Sequence, residues 1–186
     1  MNFKRIFIKT SLFLSLLFIL TACHSVMSIQ QVGSEPVKLK RADWDGVWTH
    51  PEGALHVHVV SRSQGILRLA WIEEGGKKNF SMQIVKAFVR KVGTWKMVSV
   101  REEDAKKGAN YLWARIENDG DHILIWLPDA DRIKSLIEKG HLEGKVEEKS
   151  IVLGKLSNAQ LARLSSTTEI PLFLWDKPLI LIHSTE

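Results

Sequence analysis

Apolar and polar positions alternate in short runs from Trp44 to Leu127, with glycine between the runs, which predicts a series of β-strands. Leu55, Val57 and Val59 alternate with His56 and His58, the period-2 pattern of a half-buried strand. Ile66–Ile72 follows a turn at Gly65, and Gly75-Gly76 predicts a hairpin into Phe80, Met82, Ile84 and the longer run to Val92. Gly93 separates that run from Trp95, Met97, Val98 and Val100. Tyr111–Ile116 meets Ile123–Leu127 across Asn118-Asp119-Gly120-Asp121. Asp119-Gly120 suits a type I′ turn, whose two central residues both need positive φ.

The last third changes period. Asp129 is positioned to cap a helix running to about Lys139. Ile133, Leu136 and Ile137 would share one face of it, and Gly140 would end it. Ser150–Leu153 reads as a short strand. Ser157 and Gln160 have capping-box spacing, and Leu156 and Leu161 stand where a hydrophobic staple needs them, so a second short helix is expected to begin there. Pro171 and Pro178 bracket Leu172-Phe173-Leu174-Trp175. Leu179–His183 then reads as a last strand, expected at a sheet edge because Pro178 can only begin it.

The amino-terminal end follows neither period. Met1–Thr10 carries Lys4, Arg5 and Lys9 with no acid, Ser11–Leu20 is almost wholly apolar, and small residues follow. This is the layout of an export signal, and its apolar run is about half the roughly 20 residues of a membrane span. Leu20-Thr21-Ala22-Cys23 resembles the lipobox of bacterial lipoproteins. The resemblance implies cleavage between Ala22 and Cys23, a diacylglyceryl thioether on Cys23 and an acylated new amino terminus. His24, in place of aspartate, implies passage to the outer membrane, so the expected location is the cell envelope, facing the periplasm. Residues 1–22 are thus a signal peptide. Residues 23–42, polar and containing Gly33, Ser34, Pro36 and the basic Lys38, Lys40 and Arg41, are expected to be a flexible tether with a reach of roughly 20–25 Å. Residues 43–186 remain as one globular domain, a normal size for a single core.

Charge changes its meaning once the signal is set aside. The chain of 186 residues has 26 basic and 21 acidic side chains, but the signal holds three of the basic ones, which leaves a net charge of +2. No block of five like charges survives, which argues against nucleic acid as a partner. Cys23 is the only cysteine, so a disulfide, a cysteine-ligated metal and a cysteine nucleophile are all excluded once it carries lipid. Seven tryptophans, all after residue 43, are spread along the domain as core residues usually are.

A strand meander with a helix near the end and one last strand is also the order of lipocalin-like barrels, and Gly46-Val47-Trp48 resembles the Gly-x-Trp that opens them. The resemblance implies a barrel with one end plugged by Trp48. An α+β domain, one antiparallel sheet covered by two short helices, fits the same pattern. The expected fold is therefore mainly β or α+β, antiparallel in either case.

Candidate chemistry is sparse. His56 and His58 would point to one face of a strand and could share a metal ion, with His50, His122 or His183 supplying a third ligand. The alternative is a solvent-facing pair opposite a buried Leu55, Val57 and Val59. Trp44 and Trp48 could line the mouth of an apolar ligand pocket, or Trp48 could be core and Trp44 the cover of a barrel end. Acidic pairs at Asp43/Asp45, Glu73/Glu74, Glu102/Glu103/Asp104, Asp119/Asp121 and Asp129/Asp131 fall where solvated turn and helix-start carboxylates are expected. There is no nucleophile elbow, phosphate-binding glycine loop or His-Glu-x-x-His, so no cofactor is implied and catalysis ranks third. Two classes lead: a membrane-tethered binding module for a small apolar or amphipathic ligand, and an envelope interaction protein that docks another protein through a sheet edge or surface.

Overall fold

The computed structural model describes residues 25–75, 79–102, 110–148, 150–157, 159–160 and 172–184. The signal segment, Cys23 and Leu161 lie outside them. The predicted meander is present: β3 (Gly46–His50), β4 (Gly53–Ser61), β5 (Ile66–Gly75), β6 (Asn79–Val92), β7 (Trp95–Glu102), β8 (Tyr111–Asn118) and β9 (His122–Trp126) pair antiparallel in sequence order. A last strand, β12 (Leu179–His183), pairs with β9 through Leu179–Ile182 and with β3 through Ile182–His183. These eight strands therefore close into an antiparallel barrel. The edge position expected for Leu179–His183 is not observed. Pro178 precedes the first paired residue, where no ladder N–H is needed, so it is compatible with a strand paired on both sides.

Closure follows from side-chain alternation. Leu55, Val57, Val59, Leu67, Trp71, Ala87, Val89, Val98, Ala114, Ile116, Ile123 and Leu181 occupy alternate positions facing inward and form one buried cluster with Trp48. The β8–β9 hairpin forms one residue later than expected. Asp119 N–H donates to His122 O at 3.2 Å, which leaves Gly120 and Asp121 as the central pair. Gly120 has φ +101°, the positive value that a type II′ turn requires of its first central residue.

A second layer covers β7, β8 and β9 from outside. It contains the side strands β1 (Ser25–Ser28), β10 (Gly144–Val146) and β11 (Ser150–Leu153), with β1 parallel to β11 and antiparallel to the start of β8. Helix α2 (Ala130–Glu138) lies in the same layer, with Ala130, Ile133 and Leu136 buried, and its ends form as the sequence predicts. Asp129 Oδ1 accepts from Arg132 N–H at 3.0 Å. Gly140 (φ +71°) closes the helix, with His141 N–H donating to Leu136 O and Gly140 N–H to Ile137 O. At the second helix start, Ser157 N–H donates to Gln160 Oε1 and Gln160 N–H to Ser157 Oγ, a reciprocal capping box.

Residues 25–42 are not a free tether. Val26, Val32, Val37 and Leu39 are buried, so residues 25–42 belong to the domain expected to begin at residue 43. The segment leaves β1 and crosses the outside of β7, where Val32 N–H donates to the buried Ser99 Oγ at 2.9 Å. Its short strand β2 (Glu35–Pro36) pairs with the end of β6. Val37 and Leu39 then enter one end of the barrel, followed by the single-turn helix α1 (Arg41–Trp44). These apolar residues are spaced too irregularly to carry a helical or strand period. Each is buried by contact with residues far along the chain, which periodicity does not report.

Candidate functional site

Strand direction sorts the inward positions between two ends. At one end lie the β4–β5, β6–β7 and β8–β9 turns and the start of β3, and here the arm closes the barrel. Trp48 is fully buried, its Nε1–H donates to Trp44 O at 3.1 Å, and its ring stacks on His183 at 4.5 Å. The glycine two residues before Trp48 is explained by the same contact. Gly46 has φ +143°, and a Cβ there would lie 2.4 Å from His183 Nε2. Asp45 Oδ1 accepts from Val59 N–H, Asn118 Nδ2–H donates to Asp43 O, and Leu39 N–H donates to Arg62 O. At Gly65 (φ +62°) an added Cβ would come within 2.4 Å of Val89 O, which the passing arm leaves no room to relax. Trp44 and Trp48 thus plug and floor the barrel and do not line an entrance.

The other end differs. Inward-facing Leu69, Val100, Ile125 and Leu127 pack on the same interior cluster yet remain partly exposed, and so do the inward-facing Leu112 and Leu179. Solvent therefore reaches the inner wall from this side. The polar inward positions gather here as well. Trp71 pairs with Gln83, and Glu73 pairs with Ser81. Glu73 accepts from Trp71 Nε1–H at 3.3 Å and from Ser81 Oγ–H at 2.9 Å. The His50 ring lies 6.4 Å from that of Trp71, tilted by 52°. Glu73 was legible as an inward residue, since it continues the alternation of Leu67, Leu69 and Trp71. The acidic pair Glu73/Glu74 obscured this by suggesting a solvated turn.

The proposed metal pair is on the wrong side of the wall for its partners. His56 and His58 project outward from β4, and His58 Nδ1 lies 3.8 Å from Asp45 Oδ1. His50 and His183 face inward, and His122 sits in its own turn, 3.4 Å from Asp119. Among the described residues no group of three or more histidine, cysteine or acidic side chains could hold a metal ion.

On the covered outer face of the barrel, Trp95, Trp113 and Trp126 of β7–β9 gather with Trp175. The Arg115 guanidinium lies 5.0, 4.7 and 4.6 Å from the rings of Trp95, Trp126 and Trp175, and it pairs with Glu117. Phe173 meets Trp95, Trp113 and Trp175 edge-on, while the buried Trp113 Nε1 and Arg115 Nε have no hydrogen-bond partner among the described residues. This cluster fastens residues 172–175 over β8. Each cation–π contact of this kind contributes about 0.5–2 kcal/mol. The bare wall opposite carries a row of adjacent outward residues across five strands, Ile182, Thr49, Ala54, Ile72 and Met82. Ile182, Ile72 and Met82 are exposed, and so are neighbouring Ile180 and Val47. No family model, curated protein or solved structure matches this chain.

Proposed function

We propose that this protein is a lipid-anchored envelope binding module that takes a small apolar or amphipathic ligand into its barrel. The observation that carries the reading is the contrast between the two ends. One end is sealed by Val37–Trp48, and at the other solvent touches inward-facing leucine, valine and isoleucine. An eight-stranded barrel is just wide enough for its own side chains or for one small ligand. A ligand entering from the accessible end would cover the apolar surface of Leu69, Val100, Ile125 and Leu127, with Trp48 well below it. Anchoring through Cys23 rests on the lipobox alone. With strand β1 starting at Ser25, the two residues from Cys23 span at most about 7 Å, so the domain would lie against the headgroups.

The mature chain carrying Cys23→Ser, titrated with an apolar dye or a twelve-carbon alcohol, should change its tryptophan fluorescence saturably. Absence of binding by a panel of apolar probes to the folded protein removes this reading. Cys23→Ser should also abolish lipid labelling in cells and leave unprocessed precursor; normal maturation of that variant defeats the anchor.

One observation favours the second reading, an envelope interaction protein. The row Ile182–Thr49–Ala54–Ile72–Met82 runs continuously across strands and exposes the large apolar Ile182, Ile72 and Met82, as docking surfaces do. It replaces the edge strand expected from sequence. A photoreactive residue at position 82 should then crosslink to one defined envelope protein in intact cells, while one at Glu138 on the opposite side should not.

A further inference from the structure

We infer that the ligand of the barrel is an amphiphile with an ammonium head, bound with its tail inside and its head at Glu73; this rests on the binding reading above. Glu73 is an inward residue of β5 at the accessible end, beside the point where the partly exposed apolar wall begins. Its carboxylate is held between two adjacent strands by Trp71 Nε1–H and Ser81 Oγ–H, one on each oxygen. Both of these donors are neutral, and among the described residues no cation pairs with the carboxylate. A carboxylate offers about four acceptor positions, and two donors leave about half of them for a ligand.

The indole beside it is fixed in place. A Cβ at Gly53 would lie 2.8 Å from Trp71 Cζ2, so the ring seats directly on the neighbouring strand's glycine. Trp71 is buried, and His50 leans on it from β3. An ammonium group entering here would meet the carboxylate, which attracts a cation. A fatty acid would instead bring a second carboxylate against the first, in a partly desolvated site where two like charges disfavour each other. The arrangement therefore selects the head group by charge, while the apolar wall beyond it accepts the tail.

The test compares three twelve-carbon probes below their micellar concentrations on the mature Cys23→Ser chain: dodecylamine, dodecanol and dodecanoate, each followed by tryptophan fluorescence. Dodecylamine should bind roughly tenfold more tightly than dodecanoate. Glu73→Gln, which keeps the shape and the acceptor oxygen for one donor, should remove most of that preference and leave dodecanol unchanged. Equal affinity for all three probes, or a preference for dodecanoate, overturns the inference and leaves the binding module standing. A preference for dodecylamine that survives in Glu73→Gln also overturns it, because the charge read would then lie elsewhere. If none of the three binds, the binding reading itself fails. Should Glu73→Gln fold poorly by circular dichroism, Ser81→Ala is the second variant; freeing one oxygen should then change the dodecylamine affinity with no effect on dodecanol.

Discussion

The two ends of the barrel are built from the same strands and solve different problems. At the sealed end an aromatic floor, a threaded arm and the close approaches at Gly46 and Gly65 leave no room. At the accessible end the inward residues are aliphatic, partly wet and bordered by Glu73, Ser81 and Gln83. On the binding reading proposed above, stability and recognition fall to opposite ends. Substitutions at the first should act on folding, and substitutions at the second on binding.

The largest effect should come from the floor. Trp48→Ala removes a fully buried indole and its stack on His183. It should cost about 3–5 kcal/mol in urea unfolding. A loss below about 1 kcal/mol would break the contrast, since Trp48 would then not be the seal. Gly46→Ala comes next, at about 1–3 kcal/mol, because alanine is strained at φ +143° and its Cβ must displace the His183 ring. Its signature is a lowered denaturation midpoint with an unchanged slope. Ser99→Ala, which strands the buried Val32 N–H, should cost about 1–3 kcal/mol and raise amide exchange across 30–34.

Leu127→Ala sharpens the comparison from the other end. Only part of its side chain is buried, so about 1 kcal/mol of stability should be lost while probe affinity falls more than it does in Ser99→Ala. If Leu127→Ala destabilises as much as Trp48→Ala, the ends are not specialised. The smallest effect concerns Asp119, in the β8–β9 turn at the sealed end. Backbone N–H groups of His122 and Asp121 hold its carboxyl below the usual carboxylate value. A group with a lowered folded pKa contributes stability above its unfolded value and loses it as pH falls through the folded one. Asp119→Asn should therefore lower the melting temperature slightly at neutral pH, and the difference from wild type should vanish in acid. A difference that persists unchanged in acid would show that the carboxylate charge plays no part.

The two cores differ in how readable they were. The inward row of β4 was plain, because Leu55, Val57 and Val59 alternate with two histidines and every inward partner on β5 repeats the period. The outer core was not. Arg115 reaches Trp95, Trp126 and Trp175 from three separate elements, and nothing local to any of them announces the meeting. The histidine pair shows the same limit from the opposite direction. Alternation placed His56 and His58 correctly on one face of a strand, yet it could not reveal that His50 and His183 would face the other side of a closed wall.

By itself the sequence determined the strands from β4 to β9, the caps of α2 at Asp129 and Gly140, and the capping box at Ser157. Period and capping depend on residues within a few positions of one another, so they are complete in a short window of sequence. Tertiary structure alone decided that the sheet closes, that residues 25–42 are part of the domain, and that one end of the barrel is sealed and the other wet. Each of those outcomes depends on distant pairings. The contact between Thr49 and Ile182 spans 133 residues, and Val32 finds Ser99 across 67. Contacts at such separations are chosen by which surfaces remain uncovered after local structure has formed, and a linear pattern does not contain that information.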